Sequence, residues 1–150
     1  MEAENMLSMA EQALDYGVMG VLTLMSVVTL WLFIERMMFY KSVRTEDYEH
    51  RDNLDLDLTD NIGVLSAIGT NAPYIGLLGT VTGIMITFYT MGDVGAVDAK
   101  KIMVGLALAL KATAMGLVVA MPAIVAYTIT LRKVERILTK FDVEQEQKHS

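Results

Sequence analysis

Charged side chains are almost excluded from three long segments of this 150-residue chain. Residues 16–34, 61–92 and 102–131 contain none of the 18 acidic side chains and only one of the 12 basic ones, Lys111. A membrane-spanning helix needs about 20 mostly apolar residues, and each segment provides roughly that length or more. This partition excludes an ordinary globular enzyme and predicts an all-α integral membrane protein with three long transmembrane helices.

The sequence predicts a single domain over residues 1–150, with little chain outside the membrane. The three spans lie at about residues 16–34, 70–92 and 104–128. The connection after the first span covers residues 35–60, and the tail after the third covers residues 132–150. The chain has no cysteine, which excludes disulfides, thiolate metal sites and cysteine catalysis. We expect no metal, no cofactor and no enzymatic activity. The net charge of −6 gives no support for nucleic-acid binding.

The distribution of basic residues predicts the direction of the spans. The tail before the first span has acidic residues but no Lys or Arg, which also argues against a signal peptide. Basic residues cluster after the first span, at Arg36, Lys41, Arg44 and Arg51, and directly after the third, at Arg132, Lys133, Arg136 and Lys140. By the positive-inside rule, the N-terminus lies outside the membrane's cytoplasmic face, and the connection and the C-terminus are cytoplasmic.

The two segments outside the membrane have different patterns. Residues 53–58 alternate between Leu and polar residues, a brief two-residue period, and we interpret the connection as a tether on the cytoplasmic surface. In the tail, Leu131, Val134, Leu138 and Phe141 recur at helical spacing. This spacing predicts that the third span continues as an amphipathic helix that packs on a neighbour.

Small residues mark one face of the third span and two adjoining faces of the second, with Gly79 and Gly83 on one and Gly76 on the other. They are Gly76, Gly79 and Gly83 in the second span and Gly105, Ala109, Thr113, Gly116, Ala120 and Ala123 in the third. In lipid, small residues let helix backbones approach closely. Pro73 can bend the second span, and Pro122 lies beside the inner end of the small-residue face of the third. Three helices do not easily enclose a path, so we expect a homo-oligomer surrounded by membrane lipids.

Three threonines lie on these faces, and their hydroxyls allow two interpretations. Thr80 and Thr87 are seven residues apart in the second span, and Thr113 is in the third. Each hydroxyl can hydrogen-bond to its own helix, or the threonines can line a narrow path that holds water or relays protons. The spans contain no Asp, Glu or His. A proton-coupled machine needs an ionisable group in the membrane, so a partner would have to supply it.

Lys111 also has two interpretations. It is two residues from Thr113, about 200° around a helix, and should point away from the small-residue face. One interpretation is a snorkelling or paired lysine that orders the outer half of the third span. The other is a charge at a subunit boundary that adjusts the electric field in the path. The sequence does not decide between them.

Two runs and a tripeptide resemble the ExbB/TolQ/MotA family of proton-channel subunits. The runs are NAPYIGLLGTVTGIM over 71–85 and LALKATAMGLVVAMPA over 108–123, and the tripeptide is Ile34-Glu35-Arg36. The resemblance covers all three spans in the family's order and spacing, and is strongest to a short ExbB-like protein. It implies a bacterial inner-membrane protein whose family-type pore threonines are Thr80 and Thr113.

The resemblance also implies partners and a function. Proteins like ExbB form a pentamer around a dimer of ExbD-like single-span subunits, which carry the proton-binding carboxylate. Proton flow drives the complex, and a TonB-like transducer passes the work to outer-membrane nutrient import. The family often has a glutamate five residues before the last-helix threonine, where this chain has Leu108, which argues against a carboxylate from this chain.

The short connection argues against a flagellar role. The alternatives are a TolQ-like subunit of the Tol-Pal envelope-integrity system, a non-conducting membrane scaffold and an independent channel.

Overall fold

The computed structural model of the protein describes residues 1–94 and 98–150. All regular secondary structure in this part of the chain is helical. The α-helices are α1 (Glu2–Ser42), α2 (Arg51–Thr59), α3 (Ile62–Val94) and α4 (Ala99–His149). A turn of 3₁₀-helix, Thr45–Asp47, lies between α1 and α2. The predicted all-α fold class is confirmed.

Three of these helices are long and apolar enough to cross a membrane: α1, α3 and α4. The 41 residues of α1 and the 51 of α4 correspond to about 60 and 75 Å, well beyond a hydrocarbon core of about 30 Å. Only 22% of the most apolar stretch of each helix is buried inside the chain. The exposed apolar surface requires lipid or other protein chains to cover it.

The helices α3 and α4 pack against each other as a long antiparallel pair, and α1 lies against both. A core at the centre combines Val18 and Leu22 of α1 with Ile68 and Ala72 of α3 and small residues of α4. One face of α1 is buried over most of its length, from Val18 to Tyr40. We call the end of the bundle where α2 lies the α2 end. The opposite end, where α3 is followed by α4, is the loop end.

The connection differs from the expected surface tether, because residues 51–59 form the packed helix α2. Leu54 and Leu58 are fully buried against Tyr40 of α1 and the last part of α4, whereas Leu56 is 70% exposed. The four-residue spacing of Leu54 and Leu58 matches a helix face, and burying both side chains outweighs the local alternation. Asn61 then turns the chain into α3 with a φ of 61°, a conformation that asparagine tolerates.

Polar contacts fasten α2 to α1. The buried Arg36 donates from Nη1 to the Asp57 carbonyl oxygen at 3.0 Å, and its guanidinium lies 4.6 Å from the centre of the Phe39 ring. The Tyr40 hydroxyl donates to the Leu58 carbonyl oxygen at 2.7 Å. Tyr48 donates to the Asp57 carboxylate, and this hydrogen bond raises the pKa of the Tyr48 phenol. These contacts satisfy α2 backbone carbonyls that water would otherwise bind.

The last part of α4 completes this end of the bundle. As the tail pattern predicts, α4 continues to His149, and Val134, Leu138 and Phe141 are buried. The surface they cover belongs to α1 and α2 of the same chain. Arg51 of α2 also pairs with Asp142 of α4, with Nε and Oδ1 3.1 Å apart. The connection and the tail therefore form one packed unit, which we call the α2 cluster.

Leu58→Ala is expected to lower the free energy of unfolding by about 2–5 kcal/mol, since it leaves a cavity in the α2 cluster. Leu56→Ala is the matched control in the same helix, and it should change stability by no more than about 0.5 kcal/mol because Leu56 is exposed. Thermal unfolding and limited proteolysis within 43–61, both on detergent-solubilised protein, measure the difference. Equal effects of the two substitutions would contradict the packed position of α2.

Candidate functional site

The backbones of α3 and α4 are in direct contact at Gly76 and Gly116. A Cβ atom placed on Gly76 would lie 2.6 Å from the Ala112 carbonyl oxygen and 3.1 Å from the Gly116 Cα. A Cβ atom on Gly116 would lie 2.7 Å from the Ala72 carbonyl oxygen. No side chain fits between the helices here, so glycine is required at both positions.

The close contact extends from this point toward the loop end. A Cβ atom on Gly79 would lie 2.8 Å from the Ala112 Cβ, and one on Gly83 would lie 3.0 Å from the Ala109 Cβ. Gly105 faces Thr87, whose Cγ2 is 2.7 Å from the position of a Cβ. All five glycines singled out from the sequence thus lie between α3 and α4.

The other residues singled out on or beside the predicted small faces differ in how far they are buried. Ala109, Ala120 and Ala123 are buried, but Pro122 lies on the exposed side of α4. Pro73 is half-buried within α3. Sequence reasoning missed Ala112, which contacts both Gly76 and Gly79. The sequence pattern that could have identified Ala112 is its helical spacing, three residues after Ala109 and four before Gly116.

Thr80 and Thr113 meet across this contact, and their hydroxyl groups hydrogen-bond to each other. Thr80 is 8% exposed, and its Oγ1 lies 2.8 Å from the Ala109 carbonyl oxygen and 3.3 Å from that of Gly76. The Thr113 Oγ1 lies 3.5 Å from the same Gly76 oxygen. The hydroxyl pair therefore joins the two helices between two backbone acceptors.

This arrangement can be hydrogen-bonded in two directions. Each hydroxyl has one proton to donate but can also accept. Thr113 can donate to Thr80 while Thr80 donates to Ala109, or Thr80 can donate to Thr113 while Thr113 donates to Gly76. The carbonyl oxygens at the two ends accept hydrogen bonds but do not carry protons, so the pair can pass a proton only between ionisable or water groups that approach the hydroxyls from outside this chain.

Thr87 does not join this pair. Its hydroxyl donates to the Gly83 carbonyl oxygen of its own helix at 2.8 Å, and its side chain packs on Gly105. Of the two interpretations of the threonines, the structure thus places Thr87 in the own-helix arrangement and brings only Thr80 and Thr113 together.

Lys111 points toward α1 and pairs with Asp15. The Lys111 Nζ lies 3.9 Å from the Asp15 Oδ2, with the two side chains 48% and 39% exposed. Asp15 was not singled out from the sequence as a partner of Lys111, because the two residues are far apart in the chain and no periodic pattern relates them. The paired arrangement is one of the two interpretations of Lys111 that the sequence left open.

A groove of about 720 Å³ lies at the loop end, between α1 and the α3–α4 pair. It extends to Gly79 and Ala112, which are next in sequence to Thr80 and Thr113. Charged side chains of α1 and of the start of α4 line its outer part: Glu4, Glu11, Asp15, Asp98, Lys100 and Lys101. Among the described residues, no group of three or more His, Cys, Asp or Glu side chains is placed to hold a metal ion.

Comparison with known proteins identifies relatives of this chain by sequence. The profile of the MotA/TolQ/ExbB proton channel family matches residues 31–143. The chain is 49% identical over 133 residues to the biopolymer transport protein ExbB-like 2 of Helicobacter pylori, over 89% of each chain. It is 50% identical over 137 residues to the biopolymer transport protein ExbB of Helicobacter pylori, which covers 91% of this chain and 94% of the relative. For ExbB of Aquifex aeolicus the identity is 44% over 137 residues, or 91% and 93% of the two chains.

Proposed function

This chain belongs to the MotA/TolQ/ExbB proton channel family, and on that premise we propose that it is the ExbB-like subunit of a complex driven by the proton motive force. Its ExbB-type relatives and its three apolar helices make it a multi-pass membrane protein of a transport family. In the proposed complex it works in the bacterial inner membrane with an ExbD-like single-span partner. The complex energises TonB-dependent import of nutrients across the outer membrane.

The observation that carries this proposal is the hydroxyl pair of Thr80 and Thr113. Thr80 is buried and Thr113 half-buried between two apolar helices, where an unused polar group is costly. It offers a proton two hydrogen-bonding directions, yet the spans of this chain contain no acidic side chain to release or take up that proton. A carboxylate of the partner, moving past the pair, would supply the missing group.

The proposed assembly is a pentamer of this chain around a partner dimer, with the N-terminus periplasmic. The large exposed apolar area of α1, α3 and α4 supports contacts with other chains as well as with lipid. The basic residues near the α2 end support its placement in the cytoplasm. The loop end and its groove would then face the periplasm.

Co-expression of this chain with its ExbD-like partner tests the proposal. Native mass spectrometry of the purified complex is expected to show five copies of this chain with two of the partner. Liposomes that contain the complex and a pH-sensitive dye should acidify under an imposed proton gradient, whereas this chain alone should leak almost no protons.

Each alternative function gives a different result in the same experiment. Proton flux from this chain alone would favour an independent channel. An assembled complex without flux would favour a scaffold. Co-purification with a Tol-type partner instead of the ExbD-like one would favour the envelope-integrity system, and another stoichiometry would remove the pentamer.

A further inference from the structure

We infer that Asp15 is a positioning residue for proton transfer, because it neutralises Lys111 beside the path formed by Thr80 and Thr113. The inference rests on the proposed function and assigns a role to an ion pair that this function does not itself require. The pair joins α1 to α4, with Nζ and Oδ2 3.9 Å apart.

The pair lies next to the point where three helices meet. A Cβ atom on Gly79 of α3 would touch Ala112 of α4 and also Val18 of α1, whose Cγ1 is 3.2 Å away. Asp15 precedes Val18 by about one helical turn, and Lys111 directly precedes Ala112. Since Thr80 directly follows Gly79, the ion pair and the hydroxyl pair flank the same three-helix contact.

An unpaired lysine at this position would oppose proton transfer. Lys111 is the single charged residue within the predicted spans, so the third span alone would put a net positive charge beside the path. In general, a unit charge on the order of 10 Å from a proton, at an effective dielectric constant of about 20, alters a transfer rate by up to about tenfold, and solvent around the exposed part of Lys111 reduces this effect. Pairing with Asp15 reduces this field to that of a dipole.

Five other charged residues line the same groove as Asp15. They are Glu4 and Glu11 on α1, Asp98 just before α4, and Lys100 and Lys101 at the start of α4. Apart from the half-buried Glu11 these residues are exposed, as Lys111 is, so exposure does not distinguish them; the distance to Lys111 does. Asp15 is the carboxylate within 4 Å of Lys111 in the described part of the chain.

The test compares the signs of two substitutions in the complex reconstituted with its partner. Asp15→Asn leaves Lys111 unpaired and is expected to lower proton flux per assembled complex about tenfold. Lys111→Gln leaves a negative charge, which does not repel a proton, and flux should stay within about twofold of the unsubstituted complex. The double substitution Asp15→Asn/Lys111→Gln should restore flux to the same range. A purely structural pair would be damaged equally by either single substitution.

Glu11→Gln is the matched control, because Glu11 lies one turn from Asp15 on α1 and lines the same groove. It should leave flux unchanged. Native mass spectrometry on each variant measures the amount of assembled complex, by which the proton flux is divided. Unchanged flux in Asp15→Asn, equal losses in the two single variants, or a double variant as slow as Asp15→Asn would each overturn the inference.

A comparison with Thr113→Val separates this inference from the proposed function. Loss of flux in Thr113→Val with none in Asp15→Asn would overturn the role of Asp15 alone. Normal flux in Thr113→Val would overturn the hydroxyl path, and with it the reason for neutralising Lys111.

Discussion

Gly76→Leu is expected to abolish assembly of the protein, and Gly76→Ala to destabilise it strongly. The first added carbon would lie 2.6 Å from the Ala112 carbonyl oxygen, and its neighbour on the other helix, Gly116, has no side chain that could move away. The α3 and α4 backbones would have to separate along a contact that continues to Gly79 and Gly83. Overpacking of this kind costs about 1–3 kcal/mol for a single small addition, and more where backbone must shift.

Gly20 provides a matched control for the Gly76 substitutions. Gly20 lies in the apolar part of α1, and a Cβ atom there would meet nothing within 4 Å. Gly20→Ala should therefore be neutral or slightly stabilising, since alanine is favoured over glycine in a helix by about 1 kcal/mol. Size-exclusion chromatography and thermal unfolding of detergent-solubilised protein measure both effects. Similar behaviour of Gly76→Ala and Gly20→Ala would contradict the backbone contact.

Thr80→Val and Thr113→Val are each expected to lower proton flux by about 100-fold or more while the complex still assembles. Valine has nearly the shape of threonine, so the packing is kept and only the hydroxyl is lost. Without either hydroxyl, the hydrogen-bond chain between the Gly76 and Ala109 carbonyl oxygens is broken. Loss of a group that passes a proton typically costs a factor of about 10²–10⁴.

Two further substitutions test whether the loss of flux comes from losing the hydroxyl groups of Thr80 and Thr113. Thr113→Ser keeps a hydroxyl and should retain flux within a few-fold of the unsubstituted complex. Thr87→Val removes a hydroxyl that bonds only to its own helix, and should leave flux nearly unchanged. If Thr80→Val and Thr113→Val both support normal nutrient uptake while Gly79→Leu abolishes assembly, the small residues serve packing alone and the scaffold alternative holds.

The long apolar segments and the contacts within them could be predicted from the sequence because both depend on simple patterns. The absence of charge from three segments predicts helices in lipid, and α1, α3 and α4 contain those segments. Small residues at helical spacing predict the close approach, and the structure has Gly76 against Gly116. The helix α4 extends beyond its predicted span to His149, and residues 129–149 contain no Gly or Pro that would end it.

The features that were missed depend on contacts between distant parts of the chain. The helix α2 is short, and its Leu-Asp alternation fits a strand as well as a helix until the surface that buries Leu54 and Leu58 is known. The partner of Lys111 is Asp15, which lies before the first predicted span. Which small residue faces which, as with Ala112 and Gly79, depends on the rotation of one helix about its axis, and single-chain patterns do not fix this angle.

The uninterrupted length of α4 has a mechanical consequence. This helix is a rod of about 75 Å that contains Thr113 near one end and is clamped to α1 and α2 at the other, through Val134, Leu138 and Phe141. A twisting force applied near Thr113 would be carried toward the clamp through continuous helix, with Pro122 as the position on the way where a backbone hydrogen bond is missing. Braced in this way, α4 would resist torque as a fixed part of the fold rather than turn by itself.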